Sequence, residues 1–269
     1  ATVCDIMVLF RGDIKCKSLQ RRTSVSVILP ADNIHYLQGT EEIAEKPYKT
    51  LYLLHGLFGS DDIFLANTTI QKFAEDHNIA VVLPSGENSF YVDQRDSHKY
   101  YGEFIGRELV EMTRNIFPLS HKKEDTYLAG FSMGGYGAIR NGLKYHDTFG
   151  CIGAISAALL TDDLHNWGEG DDLLSSRSFA QSCFGDLDKV IGSDMDPKFL
   201  IDDLIAKDIE IPKIFMAVGD NDFLYNENMD YYNYLKSRNV DVEFRCSSGE
   251  HTWEFCNDYI KEFIEWLPL

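Results

Sequence analysis

Short apolar runs recur along the chain, each followed by a longer stretch with one apolar and one polar face. Residues 23–29 alternate apolar and polar and stop at Pro30, as a half-buried strand does. Residues 50–54, 79–83, 127–129, 149–156 and 213–218 are near-continuous apolar runs, which predicts strands covered on both faces. Residues 240–246 alternate again. Between these runs, residues 67–76, 101–117, 136–145, 227–238 and 257–267 carry apolar side chains at helical spacing. In 101–117 the expected buried face is Phe104, Ile105, Leu109, Met112 and Ile116, with Pro118 as the stop. Asn67 is the expected N-cap of the first helix. Strands alternating with helices at this pitch predict an α/β fold, a mainly parallel sheet with helices on both faces.

Two stretches depart from the rhythm. Residues 31–47 are polar and turn-rich and read as a surface connection. Residues 157–212 hold clustered acids, a lone Trp167 and only short helical hints. An excursion of that length between two strands is expected to be a small cap over the substrate pocket rather than a plain connection. The whole chain, 1–269, is expected to form one domain, a size at which a full core can be buried.

Composition changes the picture little. The chain is 44% hydrophobic and 25% charged, with a formal net charge of -18. So acidic a protein lacks the positive face that nucleic acid or an anionic membrane requires. No window approaches the ~18 apolar residues of a membrane span. The first nine residues lack the charged and apolar regions of a secretory leader. Six cysteines are scattered without a C-x-x-C pair, so free thiols in a reducing, cytoplasmic compartment are expected. Cys151 and Cys246 lie in strand-like runs and should be buried.

The chemistry gathers where strands end. The run 127–129 leads into Gly130-Phe131-Ser132-Met133-Gly134, and a helix comes next. A serine in that strand–turn–helix context is a nucleophile elbow, the small glycines allowing the close approach that exposes its hydroxyl. Upstream, the strand 50–54 runs into a glycine-bearing loop beginning at His55. The backbone N–H groups of Leu57 and Met133 are the expected oxyanion donors. His55 itself reads as structural. Downstream, the strand 213–218 ends in Gly219-Asp220-Asn221-Asp222, and the strand 240–246 leads to His251. Serine, acid and histidine in that chain order fit Ser132, an aspartate of the turn and His251 as a triad. Asp222 is preferred to Asp220, which can equally serve the turn itself. Ser89 and Tyr91, in the loop after the strand 79–83, are candidates to line the site, the other reading being a plain loop. Trp253 hints at room for an aryl or acyl group. No His-Glu-x-x-His or clustered ligand spacing points to a metal.

As a set, VSVILP (25–30), LLHGL (53–57), FPLS (117–120), GFSMGGYGA (130–138), GDNDFL (219–224) and GEHTW (249–253) resemble the esterase D family of α/β-hydrolases. The likeness is greatest to its bacterial tributyrin esterase and feruloyl esterase members, and it spans most of the chain from residue 23 onward. The resemblance implies a carboxylesterase needing no cofactor, acting on small short-acyl or cinnamoyl esters, with Ser132, Asp222 and His251 as triad. S-formylglutathione hydrolases share the family but typically carry histidine where this chain has Phe131 and Tyr136. The reading leaves self-association as a homo-oligomer open.

Overall fold

The computed structural model describes residues 6–32, 47–170 and 176–269. An eight-stranded sheet runs through it in the order β1-β2-β4-β3-β7-β8-β9-β10. Its strands are β1 (Ile6–Cys16), β2 (Arg21–Asp32), β3 (Thr50–Leu54), β4 (Ala80–Pro84), β7 (Thr126–Phe131), β8 (Cys151–Ile155), β9 (Lys213–Gly219) and β10 (Val242–Ser247). A two-residue pair, β5 (Asp93–Gln94) and β6 (Lys99–Tyr100), lies outside it. β1 and β2 form an antiparallel hairpin joined antiparallel to β4, and every pairing from β4 to β10 is parallel. The expected mainly parallel α/β sheet is what is found.

The apolar runs explain the two cores. Leu51, Leu53, Val81, Leu83, Tyr127 and Ala129 face one way, against α1 (Ile63–Asn67), α2 (Ile70–Asp76) and α9 (Trp253–Trp266). Their alternates Tyr52, Leu54, Ala80, Val82 and Leu128 face the other way. That second core is covered by α3 (Tyr101–Glu103), α4 (Leu109–Ile116), α5 (Met133–Lys144), α6 (Arg177–Phe184), α7 (Pro197–Ala206) and α8 (Tyr225–Ser237). Strands buried on both faces have no polar side to show, hence the unbroken apolar spelling.

Several expectations are corrected. β2 continues past Pro30, because β4 pairs only as far as Ile28 and the β1 register shifts between Ile6 and Val8. A proline without an N–H is tolerated at such an irregularity. The helix expected from Asn67 is two helices, and α2 has Thr69 at its N-cap position with no side-chain cap. Between α3 and α4 the helix widens into a π-turn, Phe104–Glu108. The wider turn rotates α4 relative to α3, so Thr113 is buried while Ile116 is 60% exposed. Cys246 is exposed because β10 is the edge of the sheet, whereas Cys151 is buried in its middle. Cys16, Cys151, Cys183, Cys246 and Cys256 are free thiols. The connection expected over 31–47 lies mostly outside the described residues. Among the described residues, no helix is long and apolar enough to cross a membrane.

Candidate active site

Parallel register brings three strand ends into one row. Phe131 on β7 pairs with Ile155 on β8, and Ile155 pairs with Ala217 on β9. The next residues, Ser132 and Ser156, continue the row: the Ser132 N–H donates to the Ile155 carbonyl (3.0 Å) and the Ser156 N–H to the Ala217 carbonyl (2.7 Å). This is the carboxyl edge of the sheet, where open α/β folds bind ligands.

Ser132 sits at φ 59°, ψ -119°, between β7 and α5. Such a left-handed non-glycine residue is strained and persists only where its surroundings over-determine it. The surroundings do so here. The Ser132 carbonyl accepts from the N–H groups of Gly135 (3.0 Å), Tyr136 (3.2 Å) and Ala158 (2.9 Å). A Cβ on Gly134 would run into the Leu54 carbonyl oxygen, and one on Gly130 into the Gly134 carbonyl oxygen. Only glycine therefore lets the start of α5 press against the ends of β7 and β3. The same contact brings the loop after β3 to the Ser132 turn, so that the Cα side of Gly56 faces the Ser132 Cβ.

That loop is held by His55, which is buried. Its Nδ1 lies 2.6 Å from the Gly56 carbonyl and its Nε2 accepts from the Gly86 N–H at 2.8 Å. The pairing fixes the neutral tautomer with the proton on Nδ1. Burial depresses the His55 pKa below its usual 6.5, the Gly56 carbonyl and the nearby Asp61 and Asp62 opposing. Beyond it, the buried carboxylate of Asp61 accepts from the hydroxyls of Ser24 and Ser26, each at 2.6 Å, and pairs with Arg11 at 3.0 Å. Among the described residues, no protein acceptor takes the N–H of Leu57 or of Met133.

Asp222 and His251 meet across the ends of β9 and β10. The His251 Nδ1 lies 2.9 Å from Oδ2 and 3.1 Å from Oδ1 of Asp222, and the Leu224 N–H donates to Oδ1 at 2.8 Å. Burial by itself would raise the Asp222 pKa, but the bonds from His251 and Leu224 outweigh it and hold the carboxyl below its usual 3.8. Ser156 also lowers it, although the Ser156 hydroxyl stands outside strict hydrogen-bond geometry. Asp220 instead accepts from the Gly249 N–H (3.2 Å) and from Asn221 (2.8 Å), bracing the two loops against each other. The His251 ring stacks on Phe131, the neighbour of Ser132, with centroids 4.6 Å apart. Phe223 covers it at 4.5 Å. The Ser132 hydroxyl has no hydrogen bond to His251 in this arrangement; such contacts commonly tighten only with substrate bound.

A family model described as "Putative esterase" matches residues 16–266. The chain belongs to this family of carboxylic ester hydrolases. An acetyl esterase of Caldicellulosiruptor saccharolyticus is 40% identical to it over 262 residues, 97% of this chain and 98% of that one. Two solved Staphylococcus aureus structures are each 32% identical. The fluorophosphonate-binding serine hydrolase FphF superposes with a TM-score of 0.84 over 97% of this chain and 98% of its own. The S-formylglutathione hydrolase FrmB does so at 0.82 over 97% and 99%.

In this esterase Tyr91 and Ser89 are both buried, contrary to a place on the pocket wall. The Tyr91 hydroxyl donates to the His55 carbonyl (2.9 Å), and the Ser89 hydroxyl donates to the Gly86 carbonyl (2.6 Å) while accepting from the Tyr91 N–H (3.0 Å). Both support the loop behind the site. Trp253, the first residue of α9, is half-buried and packs edge-on to Phe64 (5.4 Å) and tilted on Phe131 (5.3 Å). Phe131 and Phe223 were not legible as partners of His251. The only signal was the aromatic in the elbow, and it carries no direction in space. Among the described residues, no group of three or more His, Cys, Asp or Glu is arranged to hold a metal ion.

Proposed function

We propose that this chain is a serine esterase that hydrolyses small short-acyl esters, acetyl esters first, with cinnamoyl esters as the larger alternative. The reading rests on one observation above the others. The Asp222–His251 pair, joined at 2.9 Å, is stacked on the residue that immediately precedes Ser132. Ser132 attacks the ester carbonyl while the His251 Nε2 takes its proton, and Asp222 fixes the tautomer and stabilises the imidazolium. The N–H groups of Leu57 and Met133 receive the oxyanion, the second aided by the positive end of α5. His251 then returns the proton to the leaving alcohol. Water, deprotonated by His251 in turn, attacks the acyl-enzyme, releasing the acid and restoring Ser132.

The insertion 157–212 serves as a cap within a single domain. Its packing against α5 supports that role: the Tyr136 hydroxyl donates to the Met195 carbonyl at 2.6 Å, and the buried Arg140 pairs with Asp194 at 2.8 Å. Acetyl specificity draws on the 40% identical acetyl esterase. A thioesterase acting on S-formylglutathione is the competing reading, favoured by the likeness to FrmB.

The test is hydrolysis of p-nitrophenyl acetate, butyrate and octanoate, methyl ferulate and S-formylglutathione by wild type and Ser132→Ala. Hydrolysis of the acetate that vanishes in the variant supports the esterase. Preference for S-formylglutathione moves the assignment to the thioester. A folded wild type inactive on all five, and unlabelled by a fluorophosphonate, overturns the reading.

A further inference from the structure

Ser156 is a residue the mechanism above does not use, yet it is placed at unusual cost. It is completely buried, its backbone is left-handed at φ 46°, and its hydroxyl has no hydrogen-bond partner. Serine has no steric licence for that backbone conformation, and a buried hydroxyl without a partner is uncommon in a folded protein. Strain and an unmet polar group at one position are what a structure retains for function.

The neighbourhood says which function. Ser156 occupies the row between Ser132 and the end of β9. Its chain neighbours are fixed on both sides. The Ala157 N–H donates to the Asn228 Oδ1 (3.1 Å), the Asn228 Nδ2 donates to the Ala157 carbonyl (2.9 Å), and the Ala158 N–H donates to the Ser132 carbonyl (2.9 Å). Asn228 stands on α8, the helix that succeeds the Asp222 turn. The backbone thus cannot drift, and Ser156 stands bonded to the end of β9, whose following turn carries Asp222. The donors to that carboxylate are His251 and the Leu224 N–H, and Ser156 also lowers its pKa. Two donors leave an ionised carboxylate with lone pairs to spare.

We propose that Ser156 is a positioning residue: its hydroxyl donates to the Asp222 carboxylate and so fixes the plane in which Asp222 receives the His251 Nδ1–H. A small rotation about the Cα–Cβ bond completes the bond as His251 becomes charged. The proposal rests on the esterase reading for its kinetic consequence, but the Ser156–Asp222–His251 contact can be read without turnover.

The discriminating variant is Ser156→Gly, which relieves the backbone and removes the hydroxyl together; Ser156→Ala removes the hydroxyl alone. Ser156→Gly is expected to melt at or above the wild-type temperature while kcat on p-nitrophenyl acetate falls at least ~10-fold with KM unchanged. Proton NMR should show the downfield His251 Nδ1–H resonance shifted or broadened in both variants. A purely structural serine would give the opposite pattern, with stability lost and neither kcat nor the resonance altered at a given folded fraction. Wild-type kcat together with an unmoved resonance in either folded variant overturns the proposal. If wild type itself proves inactive, the esterase reading fails, and the resonance alone still decides whether Ser156 acts on the pair.

Discussion

The imidazole of His251 lies on the ring of Phe131, centroids 4.6 Å apart and planes 24° apart. Phe131 ends β7 and is bonded directly to Ser132. The stack therefore ties the His251 imidazole to the residue next to Ser132, although 119 positions separate His251 from Ser132 along the chain. Phe223, 73% exposed, covers the imidazole from another side at 4.5 Å.

Replacing Phe131 by leucine keeps an apolar filler and removes the ring. An aromatic pair of this kind contributes about 0.5–1.5 kcal/mol, so a roughly 2- to 10-fold lower kcat is expected. Steady-state kinetics on p-nitrophenyl acetate read it directly. A Phe131→Leu enzyme as fast as wild type would show that the Phe131 stack does not position His251.

Asp222→Asn keeps the acceptor for the Leu224 N–H and loses the charge. The carboxamide favours the wrong imidazole tautomer, and in a triad that change typically costs about 10⁴ in kcat. Circular dichroism should be unchanged. A loss of tenfold or less would assign the supporting acid elsewhere, with Asp220 the neighbour to test next.

The buried, neutral His55 makes stability depend on pH. Its folded pKa is depressed below the 6.5 it has when exposed, so the unfolded chain takes up its proton first as pH falls. The stabilisation is complete above pH 6.5 and is lost progressively below it, toward the lower folded pKa. Asp222 acts in the same sense but in a more acid window, below its ordinary 3.8. Urea midpoints at about pH 7.5 and about pH 5.5 should therefore differ in wild type and differ less in His55→Gln. Equal differences in both proteins would remove His55 as the cause.

Tyr91→Phe deletes the hydroxyl that donates to the His55 carbonyl. A net loss of about 0.5–1.5 kcal/mol in stability is expected. Because the His55 carbonyl lies just before the Gly56–Leu57 turn, kcat should fall as well, with KM little changed. Thermal melts and initial rates on the same preparation separate the two effects. A variant that loses stability but not kcat would confine Tyr91 to holding the loop.

Features legible in the sequence were local. A glycine-flanked serine between a strand and a helix, a glycine loop after β3 and a histidine loop after β10 are each written in consecutive residues, and all three stand at one edge of the sheet. Features that stayed hidden depend on register. Ser156 gains its meaning only because β7, β8 and β9 are neighbours in parallel alignment. Tyr91 looked like a lining residue because its loop leaves a strand at the right edge, but its left-handed backbone (φ 56°) turns the ring inward against Gly86 and Gly137. Ile116 was misplaced by a single π-turn, which no apolar periodicity announces.

The helix α5 carries Ser132 at one end and, one to two turns later, Tyr136 and Arg140, whose partners are Met195 and Asp194 in the insertion. A designer wishing to transplant a different insertion onto this scaffold thus has a short list of fittings to preserve. The Tyr136 bond goes to a main-chain carbonyl and is indifferent to side-chain identity. The Arg140 bonds to the insertion need one carboxylate and one carbonyl, both from Asp194. Chimeras that keep that aspartate, the local backbone path and the buried apolar faces of α6 and α7 should dock in the same orientation, leaving the exposed residues of the graft open to randomisation.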